Sequence, residues 1–74
     1  MKYKIGDIIK VNIKNKVYNA IIIDTNMVIG EPAYQYVVQG IENKTYWDIQ
    51  RQLEIRELEA INILLQTSLK DYEI

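Results

Sequence analysis

The sequence predicts a small, mainly β domain, in which a barrel of five short strands is followed by a C-terminal helix. Near the N-terminus apolar and polar residues alternate with a period of two, as at Ile9, Val11 and Ile13, which is the pattern of a half-buried strand. Short apolar runs are separated by glycine, proline and asparagine, which favour turns. Near the C-terminus the apolar spacing changes to three and four residues, which is typical of a helix. A chain of 74 residues forms one domain with a small core.

The first two strands are predicted to form a hairpin. In the first strand the apolar residues alternate with Lys10, Asn12 and Lys14, which are expected to face solvent. Asn15 and Lys16 supply a tight turn, because asparagine tolerates positive φ. The second strand, VYNAIIIDT at 17–25, has apolar residues on both faces. It is therefore either a central strand covered on both sides or a strand that bends to serve two layers.

The segment NMVIGEPA at 26–33 contains Gly30 and Pro32, which predict a loop. Met27, Val28 and Ile29 are more hydrophobic than a mobile loop requires. Either the second strand continues to about residue 27, or these side chains form an exposed contact.

The third and fourth strands carry most of the aromatic residues. Alternation in YQYVVQ points Tyr34 and Tyr36 toward the core. In the fourth strand alternation places Trp47 on one side and Tyr46 on the other, and Tyr46 shares its side with the charged residues Lys44 and Asp48. We therefore expect Trp47 to fill the core and Tyr46 to be an exposed contact residue.

Residues 48–57 allow two interpretations. One is a single helix from Asp48 to about Leu69, with Asp48 as the N-cap. The other is a helical turn at 48–51, a fifth strand with Leu53 and Ile55 pointing inward, and a separate terminal helix. The alternation in LEIR favours the second interpretation. It gives a barrel at 1–57 and a helix at 58–74 that packs on the barrel or extends it.

The terminal helix has a regular apolar stripe, which we expect to face the barrel. The stripe consists of Leu58, Ile61, Leu65 and Leu69. At about 100° per residue, Ile63 lies away from this stripe and Leu64 lies at its margin. These two residues are the candidates for self-association into a homo-oligomer.

The composition argues against an enzyme. The chain has no histidine and no cysteine, which removes the commonest general base, the commonest metal ligand and the usual nucleophile pairs. Its three glycines are isolated, so there is no phosphate-binding glycine loop. We predict no catalytic residue, no metal site and no cofactor. Because no apolar run is long enough for a signal peptide or a membrane span, we expect a cytoplasmic protein that does not contact membranes.

Two short motifs carry a resemblance to a known family. They are Gly6-Asp7-Ile8-Ile9-Lys10-Val11 and the later Trp47 followed by Leu53-Glu54. The chain resembles the SH3-like small β-barrels over residues 3–57, especially their Tudor- and KOW-like branch. Its richness in isoleucine, lysine, asparagine and tyrosine is also similar to that of small bacteriophage and mobile-element proteins. This resemblance implies a binding protein that acts on a host factor, such as an inhibitor or a modulator.

The charge distribution suggests two functions. Residues 1–20 contain five lysines against one aspartate, for +4, and residues 21–74 contain four basic against nine acidic residues, for −5. The leading hypothesis is a non-catalytic protein-binding module, whose candidate contacts are Tyr46, Met27, Ile29, Glu54, Glu57 and Glu59. The alternative is weak nucleic-acid binding through Lys10, Lys14, Lys16 and Tyr18.

Overall fold

Residues 8–49 form a four-stranded antiparallel sheet, and a single helix follows it directly. In the computed structural model the elements are β1 (Ile8–Ile13), β2 (Lys16–Val28), β3 (Glu31–Val38), β4 (Thr45–Ile49) and α1 (Gln50–Tyr72). The strands are adjacent in chain order, β1-β2-β3-β4. The structure describes residues 1–41 and 44–72, with side chains of α1 as far as residue 67. The predicted mainly β class with a C-terminal helix is confirmed.

Both short hairpin loops contain two residues in the left-handed region. Between β1 and β2 these are Lys14 (φ 50°) and Asn15 (φ 67°), so the predicted turn is displaced by one residue toward the N-terminus. Between β2 and β3 they are Ile29 (φ 48°) and Gly30 (φ 74°). Positive φ at both central residues is the type I′ geometry, whose twist matches that of the flanking strands. Strand β2 therefore runs through residues 27 and 28, as one interpretation of the sequence allowed.

The core lies on one face of the sheet, under the first turns of α1. Alternation correctly predicts that Tyr34 and Tyr36 point inward, since both are fully buried. They pack in one cluster with residues from the N-terminal segment, β1, β2 and the helix, among them Tyr3, Val11, Ala20, Ile22 and Leu53. A bulge between Ile22 and Asp24 shifts the register of β2 against β3. Bulges bend the bulged strand, which explains how β2 can continue beyond the core as the longest strand.

The predicted fifth strand is wrong, and so is the closed barrel. Residues 50–72 form one helix, as the other interpretation proposed, and it is continuous across the expected boundary at residue 57. The residues around Leu53 are glutamine, glutamate and arginine, which are good helix formers. A four-residue alternation is too short to outweigh that preference.

The buried and exposed faces of α1 are the reverse of those predicted. Leu53 and Ala60 are fully buried against the sheet, whereas Leu58 is 60% exposed. Ile63, expected to point away from the core, is half-buried. Between them on the inner side lie Arg56 and Glu57, which are polar but have hydrogen-bond partners on the sheet and in the N-terminal segment. The inner face therefore does not need to be continuously apolar.

Arg56 connects the two edge strands of the open sheet. Its Nε donates to Oδ2 of Asp48 in β4 at 2.8 Å, and its Nη1 donates to the carbonyl oxygen of Asn12 in β1 at 3.3 Å. Tyr36 Oη donates to the same Asp48 oxygen at 2.6 Å. Burial, and secondly this hydrogen bond, raise the pKa of the Tyr36 phenol above its usual value. The helix thus spans the gap that a fifth strand would fill.

The inward and outward faces of strand β4 are also the reverse of those predicted. Trp47, expected in the core, is 47% exposed. Tyr46, expected to be exposed, is half-buried and stacks on Tyr36, with ring centroids 5.5 Å apart and an interplanar angle of 18°. The reason is Asp48, which shares the side of Tyr46 and points inward because Tyr36 and Arg56 satisfy its carboxylate.

Candidate binding surfaces

The tip of the β2–β3 hairpin, residues 27–30, is apolar and exposed. Met27 is 54% and Ile29 98% exposed, so both candidate contact residues are accessible. Ile29 is in addition a β-branched residue at φ 48°. Left-handed backbone is disfavoured for such side chains, and asparagine, aspartate or glycine usually occupies this turn position.

A small apolar groove lies next to the tip. It has a volume of about 200 Å³ and is lined by Asn26, Val28, Ala33, Trp47, Asp48 and Ile49. The register places Val28 directly before the turn, opposite Glu31. Trp47 therefore belongs to the surroundings of the hairpin tip rather than to the core, and sequence reasoning missed this role.

A second concave surface lies at the other end of the sheet, where the β1–β2 turn approaches the start of β4. We call it the lysine–tyrosine basin; its volume is about 270 Å³. Three of the predicted residues, Lys14, Lys16 and Tyr18, line it together with Lys44 and Tyr46. Lys10 does not, because it lies on the outer face of β1 opposite Asn19. Lys44 was missed as a site residue because no pattern in the sequence indicates that β4 begins beside the β1–β2 turn.

The outer face of α1 is the third exposed surface. Five aliphatic side chains on it or beside it are between 42 and 60% exposed: Leu58, Ile61 and Leu65 lie near its centre, and Ile55 and Leu64 lie at its two margins. Leu64 was predicted to be available for self-association, and Ile63, its predicted companion, is not on this face. Residues 60–67 contain no charged side chain, so this half of the helix offers an uninterrupted uncharged surface.

The three acidic candidates on α1 do not form a free acidic strip. Glu57 Oε1 accepts a hydrogen bond from Tyr3 Oη at 2.9 Å, and Glu59 Oε2 accepts one from Asn12 Nδ2 at 3.0 Å. Glu54 pairs with Lys2 at 3.7 Å. Burial, followed by the bond to Glu57, raises the pKa of the Tyr3 phenol. These carboxylates attach the helix to the N-terminal segment and to β1.

No family model, no curated protein and no solved structure matches the chain. Among the described residues, no group of three or more acidic side chains is placed to hold a metal ion. The helix is not apolar enough over its described length to cross a membrane. A proposal about function therefore rests on the hairpin tip with its groove, the lysine–tyrosine basin and the outer face of α1.

Proposed function

We propose that this protein is a small, non-catalytic protein-binding module that docks on its partner through the β2–β3 hairpin tip. The observation that carries the proposal is Ile29, which is nearly fully exposed and lies at positive φ. Both properties are unfavourable in the isolated molecule, because the conformation is strained and the apolar side chain is left in water. Residues that break local rules without a compensating contact are expected at functional sites.

The chemistry of the tip indicates an apolar pocket on the partner. Ile29 is the leading side chain, and Met27 beside it is flexible enough to fit an irregular surface. Trp47 borders the adjacent groove, and half-exposed tryptophans are common anchors of protein interfaces. The resemblance to small phage proteins supports a host factor as the partner and an inhibitory or modulating effect on it.

A capture experiment with matched variants tests this proposal. Immobilised wild-type protein, Ile29→Asn and Ile8→Gln are exposed to nuclease-treated host lysate, and a captured protein is then purified and titrated. Ile8 is a suitable control because it is an exposed aliphatic residue at the start of β1. We expect Ile29→Asn to weaken the purified pair at least tenfold, and Ile8→Gln to leave it unchanged. Equal binding by all three proteins would refute docking through the tip.

We also propose that two copies of the chain pair through the outer face of α1. Leu58, Ile61 and Leu65 follow the three- and four-residue spacing of helix–helix contacts. In an antiparallel pair with Ile61 near the twofold axis, Leu58 of each copy meets Leu65 of the other, so the surface is self-complementary. Burying the five aliphatic side chains on both copies removes on the order of 1,000 Å², which is the lower end of the range for a specific interface.

Sedimentation over a range of concentrations tests the pairing. We expect the wild-type protein to shift from monomer to dimer as the concentration rises, and Leu58→Gln with Leu65→Gln to keep it monomeric. Ile8→Gln is again the control and should dimerise normally. A wild-type protein that stays monomeric at its solubility limit would contradict the proposal.

A further inference from the structure

We infer that the lysine–tyrosine basin binds single-stranded nucleic acid, with one nucleotide seated in the basin. The carrying observation is that three lysines and two tyrosines line one concave surface. They come from the β1–β2 turn, from β2 and from the start of β4. This site is separate from the hairpin tip and does not depend on the proposed protein-binding function.

The basin is a locally cationic region of a chain whose net charge is −1. Lys14, Lys16 and Lys44 line it, and the described part of its lining contains no carboxylate. The acidic residues of the helix are engaged elsewhere, with Lys2, Tyr3 and Asn12. Lysine is a flexible point charge, so these residues suit phosphate contacts that position a strand without reading its sequence.

The tyrosines provide surfaces on which bases can stack. Tyr46 is held in place by its stacking on the buried Tyr36, so its orientation does not have to be fixed when a ligand binds. Tyr18 extends from β2 on the other side of the basin and is half-buried against the core. Aromatic rings next to lysines are the usual combination for sequence-tolerant binding of single strands.

The size of the basin distinguishes a single strand from a duplex. A volume of about 270 Å³ is near the lower limit of small-ligand pockets, which are roughly 300–1,000 Å³. It accommodates one unstacked base and its phosphate, whereas the bases of a duplex are stacked and paired inside the helix. An acidic peptide would satisfy the lysines, but it would leave both tyrosine rings without a planar partner.

Fluorescence anisotropy with labelled oligothymidylate tests the inference. We expect binding at low salt, with the three lysines contacting the phosphate of the seated nucleotide and those of its two neighbours. Each phosphate contact to a single strand contributes roughly −0.7, so the logarithmic salt slope should be about −2. Tyr18→Leu should weaken binding by about five- to hundredfold through loss of stacking. Lys16→Gln should lower the slope by about 0.7, while Lys10→Gln, a lysine outside the basin, should change neither the affinity nor the slope.

Three competitors and one further variant complete the test. Unlabelled duplex, free thymidine monophosphate and polyglutamate should each displace the oligonucleotide poorly, and equal competition by any of them would overturn the assignment to single strands. No binding at low salt, or equal losses for Lys10→Gln and Lys16→Gln, would also overturn it. Ile29→Asn should bind the oligonucleotide normally, so failure at this site and failure at the hairpin tip are distinguishable. Unchanged circular dichroism confirms that each variant is folded.

Discussion

The two hairpin loops of this protein have the same backbone and opposite side-chain chemistry. Both have two residues at positive φ, Lys14-Asn15 in one and Ile29-Gly30 in the other. The first loop has a lysine at the first of these positions and an asparagine, which tolerates positive φ, at the second, and neither residue is β-branched. The second loop uses an isoleucine, which local physics disfavours. The fold alone accounts for the first loop, whereas we propose that the second loop keeps its isoleucine for a contact outside the chain.

The loops also lie at opposite ends of the sheet and serve different surfaces. Lys14 lines the lysine–tyrosine basin, while Ile29 is the most exposed residue of the apolar hairpin tip. The groove lined by Trp47 lies next to this tip. If both proposals hold, the sheet separates two binding chemistries, one electrostatic and one apolar. Variants that affect both ends, one end or neither can test this separation.

The largest effect is expected from Leu53→Ala, because both hairpins depend on the same core. Leu53 is fully buried in a cluster of residues from β1, β2 and β3, against which Tyr46 of β4 also packs. The substitution should lower the free energy of unfolding by about 2–5 kcal/mol, and both binding activities should decline together as the protein unfolds. Urea denaturation measures the change. Ile8→Ala, at an exposed position at the start of β1, is the control, and a loss of similar size there would contradict the special role of Leu53 in the core.

A smaller effect separates the two neighbouring aromatic residues of β4. Tyr46→Ala removes a ring stacked on Tyr36 and should cost about 2 kcal/mol, whereas Trp47→Ala at a half-exposed site should cost about 1 kcal/mol. Denaturant titration of both variants gives the order. In binding assays, Trp47→Ala should impair the tip and Tyr46→Ala the basin. A larger stability loss for Trp47→Ala would instead support the orientation predicted from the sequence, with Trp47 in the core and Tyr46 exposed.

That orientation could not be predicted because it depends on partners distant in the chain. Alternation correctly separates Tyr46 from Trp47, but it does not show which side is inside. Polarity favoured Trp47, since Lys44 and Asp48 flank Tyr46. Asp48 is turned inward by the Tyr36 hydroxyl and Arg56, and a single sequence does not show these bonds.

The helix illustrates the same limit. Its existence and its apolar spacing were predictable from residues 58–69, as were strand β1, the inward tyrosines and the existence of β3. The start of β3 was not, because the sequence predicts a loop over residues 31–33, which are strand in the structure. Which face of the helix packs on the sheet could not be predicted, because Arg56 and Glu57 on the inner side have partners in β1, β4 and the N-terminal segment. Polar residues can occupy a packed face when such partners exist. The three binding surfaces depend on these long-range contacts.

A substitution in the β1–β2 turn, which lies beside the basin, tests the comparison of the two hairpin loops. Lys14→Ile would place a β-branched residue at φ 50°, the turn position that corresponds to Ile29, and should lower the free energy of unfolding by about 1–2 kcal/mol. Thermal or urea unfolding measures the effect. Lys16→Gln, at the strand position directly after the turn, is the control and should be nearly neutral. A neutral Lys14→Ile would mean that this turn position tolerates β-branched residues, and the conformation of Ile29 would no longer indicate a contact outside the chain.

A further effect is expected at alkaline pH, where the core is weakened without a change in either loop. The pKa of Tyr36 and of Tyr3 is raised in the folded protein by burial and by hydrogen bonds to carboxylates. Above a pH of about 10, the ordinary tyrosine pKa, the unfolded chain loses these protons first. The folded state then binds more protons than the unfolded state, so stability falls as the pH rises.

Urea midpoints measured from neutral pH to above pH 10 check this trend. Tyr36→Phe should be less stable at neutral pH and should show a shallower alkaline decline. The matched control is Tyr18→Phe, whose hydroxyl has no hydrogen bond among the described contacts. An alkaline decline unchanged in Tyr36→Phe would contradict the assigned role of its phenol.

The free energy of unfolding of Ile29→Asn tests the central claim most directly, because it requires no knowledge of the partner. If Ile29 is retained for a contact outside the chain, its replacement by a residue suited to positive φ should stabilise the isolated protein by about 1 kcal/mol. Urea denaturation at a concentration where the protein is monomeric gives this value. An unchanged or lower stability would show that Ile29 is favourable within its own fold, and would remove the basis for docking through the hairpin tip.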